Sequence, residues 1–200
     1  RTLSRPNQGE AIEGIRNGRG LHQCSNGDIY DGEWKDDKRH GRGLLRYVSG
    51  LEYDGAWVID KAEGQGVCKY VNGDKYEGEW KQDLRWGWGK QIFSDGDVYE
   101  GEWKNNAMDG NGRYTYADNS YFQGNFSEGM QVSGKYSSAD GSLEYDGRWK
   151  GQMRHGQGTF HISGAYKYTG SWFENARHGK GKCVYSDGAS YDGEWQNDER

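Results

Sequence analysis

The sequence predicts an all-β protein: an elongated, twisted, solenoid-like single antiparallel sheet of tandem β-hairpins with a 23-residue period. Three observations carry that expectation. Tyr-x-Gly-x-Trp, or a Phe-x-Gly-x-Phe variant, returns eight times without a slip. It stands at Tyr30–Trp34, Tyr53–Trp57, Tyr76–Trp80, Tyr99–Trp103, Phe122–Phe126, Tyr145–Trp149, Tyr168–Trp172 and Tyr191–Trp195. A Gly-x-Gly pair with an aromatic four positions on lies between, as in Gly41/Gly43 before Tyr47 and Gly64/Gly66 before Tyr70. Turn dipeptides such as Asn26-Gly27, Asn72-Gly73, Asp95-Gly96 and Asp187-Gly188 separate the two. A fixed period of this size signals a repeat array in which each unit contacts only its neighbours.

Each element follows from side-chain alternation. Tyr30, Gly32 and Trp34 fall on one face of a strand, Asp31 and Glu33 on the other. The partner strand puts Gly41, Gly43, Leu45 and Tyr47 on a shared face. Its glycines read as gaps over which a ring from an adjacent strand can lie. Asn-Gly and Asp-Gly are expected to close the tight hairpins, and a longer polar link such as Lys35–His40 to join one hairpin to the next. The sole proline, Pro6, precedes the first unit, where it cannot break a ladder. Ile12-Glu13-Gly14 reads as a worn first strand. The fifth unit is irregular, because Ser133 and Lys135 occupy its glycine positions and Gly134 lies between them. That predicts a bulge or bend. The expected domains are a degenerate cap over 1–17, about eight repeats over 18–195 with an irregular unit at 117–140, and a truncated last repeat at 196–200.

Composition limits the rest. The chain has 200 residues, a mean hydropathy of -1.19 and 14% aromatics. Such polarity would fit disorder, but aromatics at strict spacing argue for a core built of rings. A net charge of -5 gives no nucleic-acid footprint. No apolar run approaches the length of a membrane span. The chain opens with Arg1, has no apolar signal segment and stops soon after Trp195, which reads as a fragment of a longer protein. Cys68 and Cys183 are five periods apart, roughly 48 Å at two strands per repeat, too far for a disulfide. With Cys24 they read as free thiols in a reducing compartment.

These residues resemble the MORN (membrane occupation and recognition nexus) repeat. Tyr76-Glu-Gly-Glu-Trp-Lys-Gln-Asp-Leu-Arg-Trp-Gly-Trp-Gly-Lys and Tyr168-Thr-Gly-Ser-Trp-Phe-Glu-Asn-Ala-Arg-His-Gly-Lys-Gly-Lys carry the likeness. It spans about Gly18 to Trp195. The resemblance implies a non-enzymatic scaffold without cofactors. It also implies a cytoplasmic setting at the cytoskeleton, the cilium or the cytoplasmic face of a membrane.

Three surfaces are candidates. A partner segment (cytoskeletal, motor or signalling) is expected along an aromatic groove of Tyr53, Trp57, Tyr76, Trp80, Tyr99, Trp103, Phe122 and Phe126. Trp86 and Trp88, outside the Trp column, add an expected hot spot. Arg39, His40, Lys61, Arg85, Arg154, His155, Arg177 and His178 form an expected basic edge for acidic partners or phosphoinositide headgroups. Recurring carboxylates, as at Glu77/Glu79 and Glu100/Glu102, read as a solvated face rather than as catalytic or metal-binding groups. His155 and His178 are too far apart to share a metal. Open terminal strands would allow a homodimer. The alternatives are a phosphoinositide-binding module, a sugar- or choline-binding repeat, and the regulatory arm of an enzyme domain outside this chain.

Overall fold

The computed structural model describes residues 8–12 and 14–200. Arg1 and Pro6, like the rest of residues 1–7 and residue 13, lie outside them. The described residues form strands of one open, seventeen-stranded antiparallel sheet of tandem hairpins. The chain divides into two compact units, residues 1–95 with 103–106 and residues 96–102 with 107–200.

In the first unit, β1 (Gln8–Ile12) pairs with β2 (Ile15–Gln23), so Gly14 belongs to the turn between them rather than to a strand. Then β3 (Ile29–Lys35), β4 (Lys38–Arg46), β5 (Glu52–Val58), β6 (Lys61–Lys69), β7 (Lys75–Lys81) and β8 (Leu84–Ile92) follow, each paired with the one before. The two connectors exchange the roles that the sequence suggests. The polar link is the tight turn: only Asp36 and Asp37 separate β3 from β4, and both are left-handed, with φ of 49° and 61°. That is the two-residue turn whose twist matches the strands. The Asn-Gly and Gly-containing connectors are wider. Tyr47 N–H donates to the Leu51 carbonyl and Gly50 N–H to the Tyr47 carbonyl, both at 2.9 Å, across a five-residue connection.

One link turn carries a β-branched residue at a left-handed position, Ile59 with φ 49°. Its side chain is 64% exposed and gains little from packing. Ile59→Asn is therefore expected to stabilise the chain by about 1 kcal/mol, since Asn tolerates this conformation. Urea denaturation would check it, and an unchanged or lower midpoint would count against it.

The two glycines of each pair do different work. Gly41 has φ 63° and sits in a bulge, where the register shifts between the pairs Gly32–Gly43 and Trp34–Arg39. Gly43 lies beneath the Tyr30 ring, and a Cβ there would overlap Tyr30 Oη. The first glycine is needed for backbone conformation, the second for space.

After β9 (Val98–Lys104), the second unit repeats the plan from β10 (Ala107–Thr115) through β11 (Tyr121–Ser127), β12 (Met130–Ser137), β13 (Leu143–Lys150), β14 (Met153–Ile162), β15 (Tyr166–Phe173) and β16 (Ala176–Tyr185) to β17 (Ser190–Trp195). Its irregular strand is β12. Regular units carry an extra-residue bulge, and β12 has lost one residue of it, so Gly124 faces Gly134 rather than Lys135. The Phe122 ring still covers that glycine pair. One added residue before Tyr145 restores the period.

Candidate functional site

The core is a zigzag of rings. In the first unit, Tyr30 meets Trp34 and Trp57, Tyr53 meets Trp57 and Trp80, and Tyr76 meets Trp80 and Trp103. All are edge-to-face with centroids 4.9–5.6 Å apart. The second unit continues this way through Tyr99–Phe126, Phe122–Trp149, Tyr145–Trp172 and Tyr168–Trp195. Such pairs contribute about 0.5–1.5 kcal/mol each beyond burial. Each indole N–H is also held: Trp57 Nε1 donates to the Gly43 carbonyl at 2.9 Å and Trp103 Nε1 to the Gly89 carbonyl at 3.2 Å. These bonds reach 14 residues back, and Trp149 reaches 15 back to Gly134 because one residue is added between Gly134 and Tyr145. Tyr53, Trp57, Tyr76, Trp80, Tyr99, Trp103, Phe122 and Phe126 are thus all buried in the ladder.

Burial pushes the tyrosine hydroxyls up, to about 12 for Tyr145 and Tyr168 and further for Tyr30, Tyr53, Tyr76 and Tyr99. Below the ordinary value of 10.0 both folded and unfolded chains hold these protons, and stability is complete. Above it the unfolded chain ionises first, so stability falls as pH rises from about 10 through the folded values. Tyrosinate absorbance followed with circular dichroism should show the ladder tyrosines ionising together with unfolding. Ionisation of every tyrosine near 10 in a folded chain would contradict the burial.

A cationic layer lies on this ladder. The Arg16, Arg39, Arg85, Arg154 and Arg177 guanidiniums stand 3.9–4.4 Å over the Trp34, Trp57, Trp103, Trp172 and Trp195 rings, always 18 residues on. Each is fixed by the second residue of the next link turn. Arg39 N–H and Nε donate to Asp60 Oδ1 at 2.9 and 3.2 Å, and Nη2 to the Asp60 carbonyl at 2.9 Å. Arg177 repeats this on Asp198, while Arg85 and Arg154 use Asn106 and Asn175. Partial burial pushes the Asp60 carboxyl up, but the Arg39 and Lys38 hydrogen bonds outweigh it and hold the group below its ordinary range.

The structure therefore brings Arg39, Arg85, Arg154 and Arg177 onto the aromatic face instead of along a separate basic edge. Lys61 is exposed and ion-paired with Asp83. His40, His155 and His178 alternate with the arginines and point the other way. Phe173 lies between His155 and His178, with centroids 5.3 and 5.8 Å away. Trp86 and Trp88 also leave the ladder: Lys81 Nζ sits 4.5 Å over the Trp86 ring, and Trp88 is 54% exposed.

The arginine column breaks at Ala62, Met108 and Gln131. A cavity lies at each break. That at Ala62 has about 590 Å³, with Trp80, Trp57, Tyr70 and Cys68 on its walls and Arg39 and Arg85 beside them. That at Gln131 has about 520 Å³ and includes Tyr136, Trp149 and Phe160. A smaller one of about 280 Å³ borders Met108 and Phe126. Arg16, Ala62, Met108, Gln131 and the Asp or Asn column escaped the sequence reading. Their signal was present, because position 16 and every twenty-third residue after it can be compared directly. Among the described residues no group of acidic, histidine or cysteine side chains is arranged to hold a metal, and the three cysteines are free.

The ladder, the paired glycines and the interlocked turns define a tandem-hairpin repeat protein. The MORN repeat model matches residues 8–29, 30–52, 53–75, 76–98, 99–121, 122–143, 145–163, 168–190 and 191–200. The chain belongs to the MORN repeat family. No curated protein matches it. The TCP domain of Drosophila melanogaster SAS-4 (dCPAP), solved with a proline-rich motif of Ana2 (dSTIL), is similar over 98% of this chain and 97% of that one, at 10% identity and a TM-score of 0.48. The wild-type TCP10 domain of Danio rerio CPAP is similar over 94% of each chain, at 14% identity and a TM-score of 0.45.

Proposed function

We propose that the chain is a non-enzymatic scaffold that binds a protein segment along its aromatic face, within a cytoskeletal or membrane-associated assembly. One observation carries the reading: cavities of about 590 and 520 Å³ lie on the ladder where the arginine layer is interrupted. Aromatic pockets flanked by arginine are the surfaces that concentrate binding energy in protein interfaces. A phosphoinositide edge is less favoured, because the guanidiniums it would need are already stacked and hydrogen-bonded within the chain.

Filling both cavities tests the reading without disturbing the rings. Ala62→Arg with Gln131→Arg extends the existing column over Trp80 and Trp149. The double variant is expected to fold with an unchanged circular dichroism spectrum. It should bind peptides selected on the wild-type chain from a displayed proteome library at least tenfold more weakly, about 1.4 kcal/mol. Equal binding by the filled variant would overturn the aromatic-face site.

A further inference from the structure

The chain itself shows what fits the Ala62 cavity. In the repeat before it, Arg39 lies over Trp57, with Nε on Asp60 Oδ1 and Nη2 on the Asp60 carbonyl. In the repeat after it, Arg85 lies over Trp103 with the same two bonds to Asn106. The Ala62 repeat keeps every receiving group. Trp80 has its place in the ladder, Ala62 N–H donates to Asp83 Oδ1 at 2.8 Å as Arg39 N–H does to Asp60, and Lys61 pairs with Asp83 as Lys38 does with Asp60. Only the guanidinium is missing, because alanine ends at Cβ.

We propose that this slot receives an arginine side chain from a partner polypeptide, its guanidinium over Trp80 and bonded to the Asp83 carboxylate and carbonyl. The proposal rests on the protein-binding reading above and names the chemistry of the anchor. A guanidinium suits the slot better than an ammonium because it stacks flat and donates in a fixed fork. The neighbouring cations do not forbid it. Arg39 is held by Asp60, and Arg85 donates to Gln91 and Asn106. Arg154 and Arg177 occupy successive slots in the second unit, so the face accepts arginines at single-repeat spacing.

The test uses the whole chain and nitrogen-15 indole NMR. The probes are the peptides acetyl-Gly-Arg-Gly-amide and its lysine, citrulline and glutamate counterparts, at millimolar concentration. The arginine peptide should shift the Trp80 indole resonance, and the other three should bind at least fivefold more weakly. Ala62→Arg should remove the response while Ala62→Ser keeps it. Peptides selected on the wild-type chain should share an arginine whose replacement by lysine weakens binding at least tenfold. A response led by glutamate, no response at Trp80, or an equal response from Ala62→Arg would overturn the arginine slot. If selected peptides lack arginine but still lose binding to Ala62→Arg, this inference fails and the aromatic-face reading stands. If their binding ignores both filled cavities, that reading fails as well.

Discussion

Tyr76→Ala is expected to cost about 3–5 kcal/mol, the range for removing a large buried aromatic. Tyr76 has no exposed surface and meets two rings edge-on, Trp80 at 5.2 Å and Trp103 at 5.3 Å. Its hydroxyl donates to the Glu79 carbonyl at 3.0 Å. The truncation removes the ring, both contacts and the hydrogen bond. Aliphatic side chains are too few nearby to collapse into the space. Tyr76→Phe should cost only about 1 kcal/mol, the net worth of one hydrogen bond, because Phe122 fills the same place without a hydroxyl and is fully buried. Urea denaturation by tryptophan fluorescence and circular dichroism would separate the two. Because a repeat array is stabilised by neighbour contacts, hydrogen exchange should quicken first in β6, β7 and β8. A loss below about 1 kcal/mol for the alanine variant would mean that the ladder is not the core.

Gly89→Ala should destabilise by about 3 kcal/mol, at the upper end of ordinary overpacking. The added Cβ would overlap Tyr76 Oη and lie about one bond length too close to the ring. The ring has nowhere to go, since it lies across Gly78 of its own strand as well as Gly89 of the next, and tryptophans flank it. The double variant Gly89→Ala with Tyr76→Ala should cost clearly less than the sum of the two, because the methyl then has room. Gly87 is the control. Its φ of 59° makes alanine unfavourable by about 1–2 kcal/mol through the backbone, and Asn, which tolerates that conformation, should be milder. If Gly89→Asn proved as mild as Gly87→Asn, space would not be the reason for the second glycine.

Much of this fold was legible because the repeat displays its own logic. The position of Tyr, Gly and Trp on one strand face follows from alternation alone, and eight recurrences leave no other register. The turns were harder. Asn-Gly suggests the tight hairpin, yet the tight turns are pairs such as Asp36-Asp37 and Gln82-Asp83. Glycine at the wider connectors serves a single left-handed position, as at Gly50 with φ 96°. Composition favours one turn over another only weakly, whereas strand register and the bulge at the first glycine fix how many residues each connection must span.

The sequence by itself determined the all-β class, the period, the repeat family and the strand face that carries the rings. Those depend on spacing, and spacing is covalent. Tertiary structure decided what covers the rings. Arg39 and Trp57 are 18 residues apart on the consecutive strands β4 and β5, so no local pattern places one over the other. Only the side-by-side strands bring them together, with Asp60 as the clasp. The same geometry turns a residue as plain as Ala62 into the floor of a cavity. A missing side chain has no signature of its own until its neighbours in space define the volume it leaves.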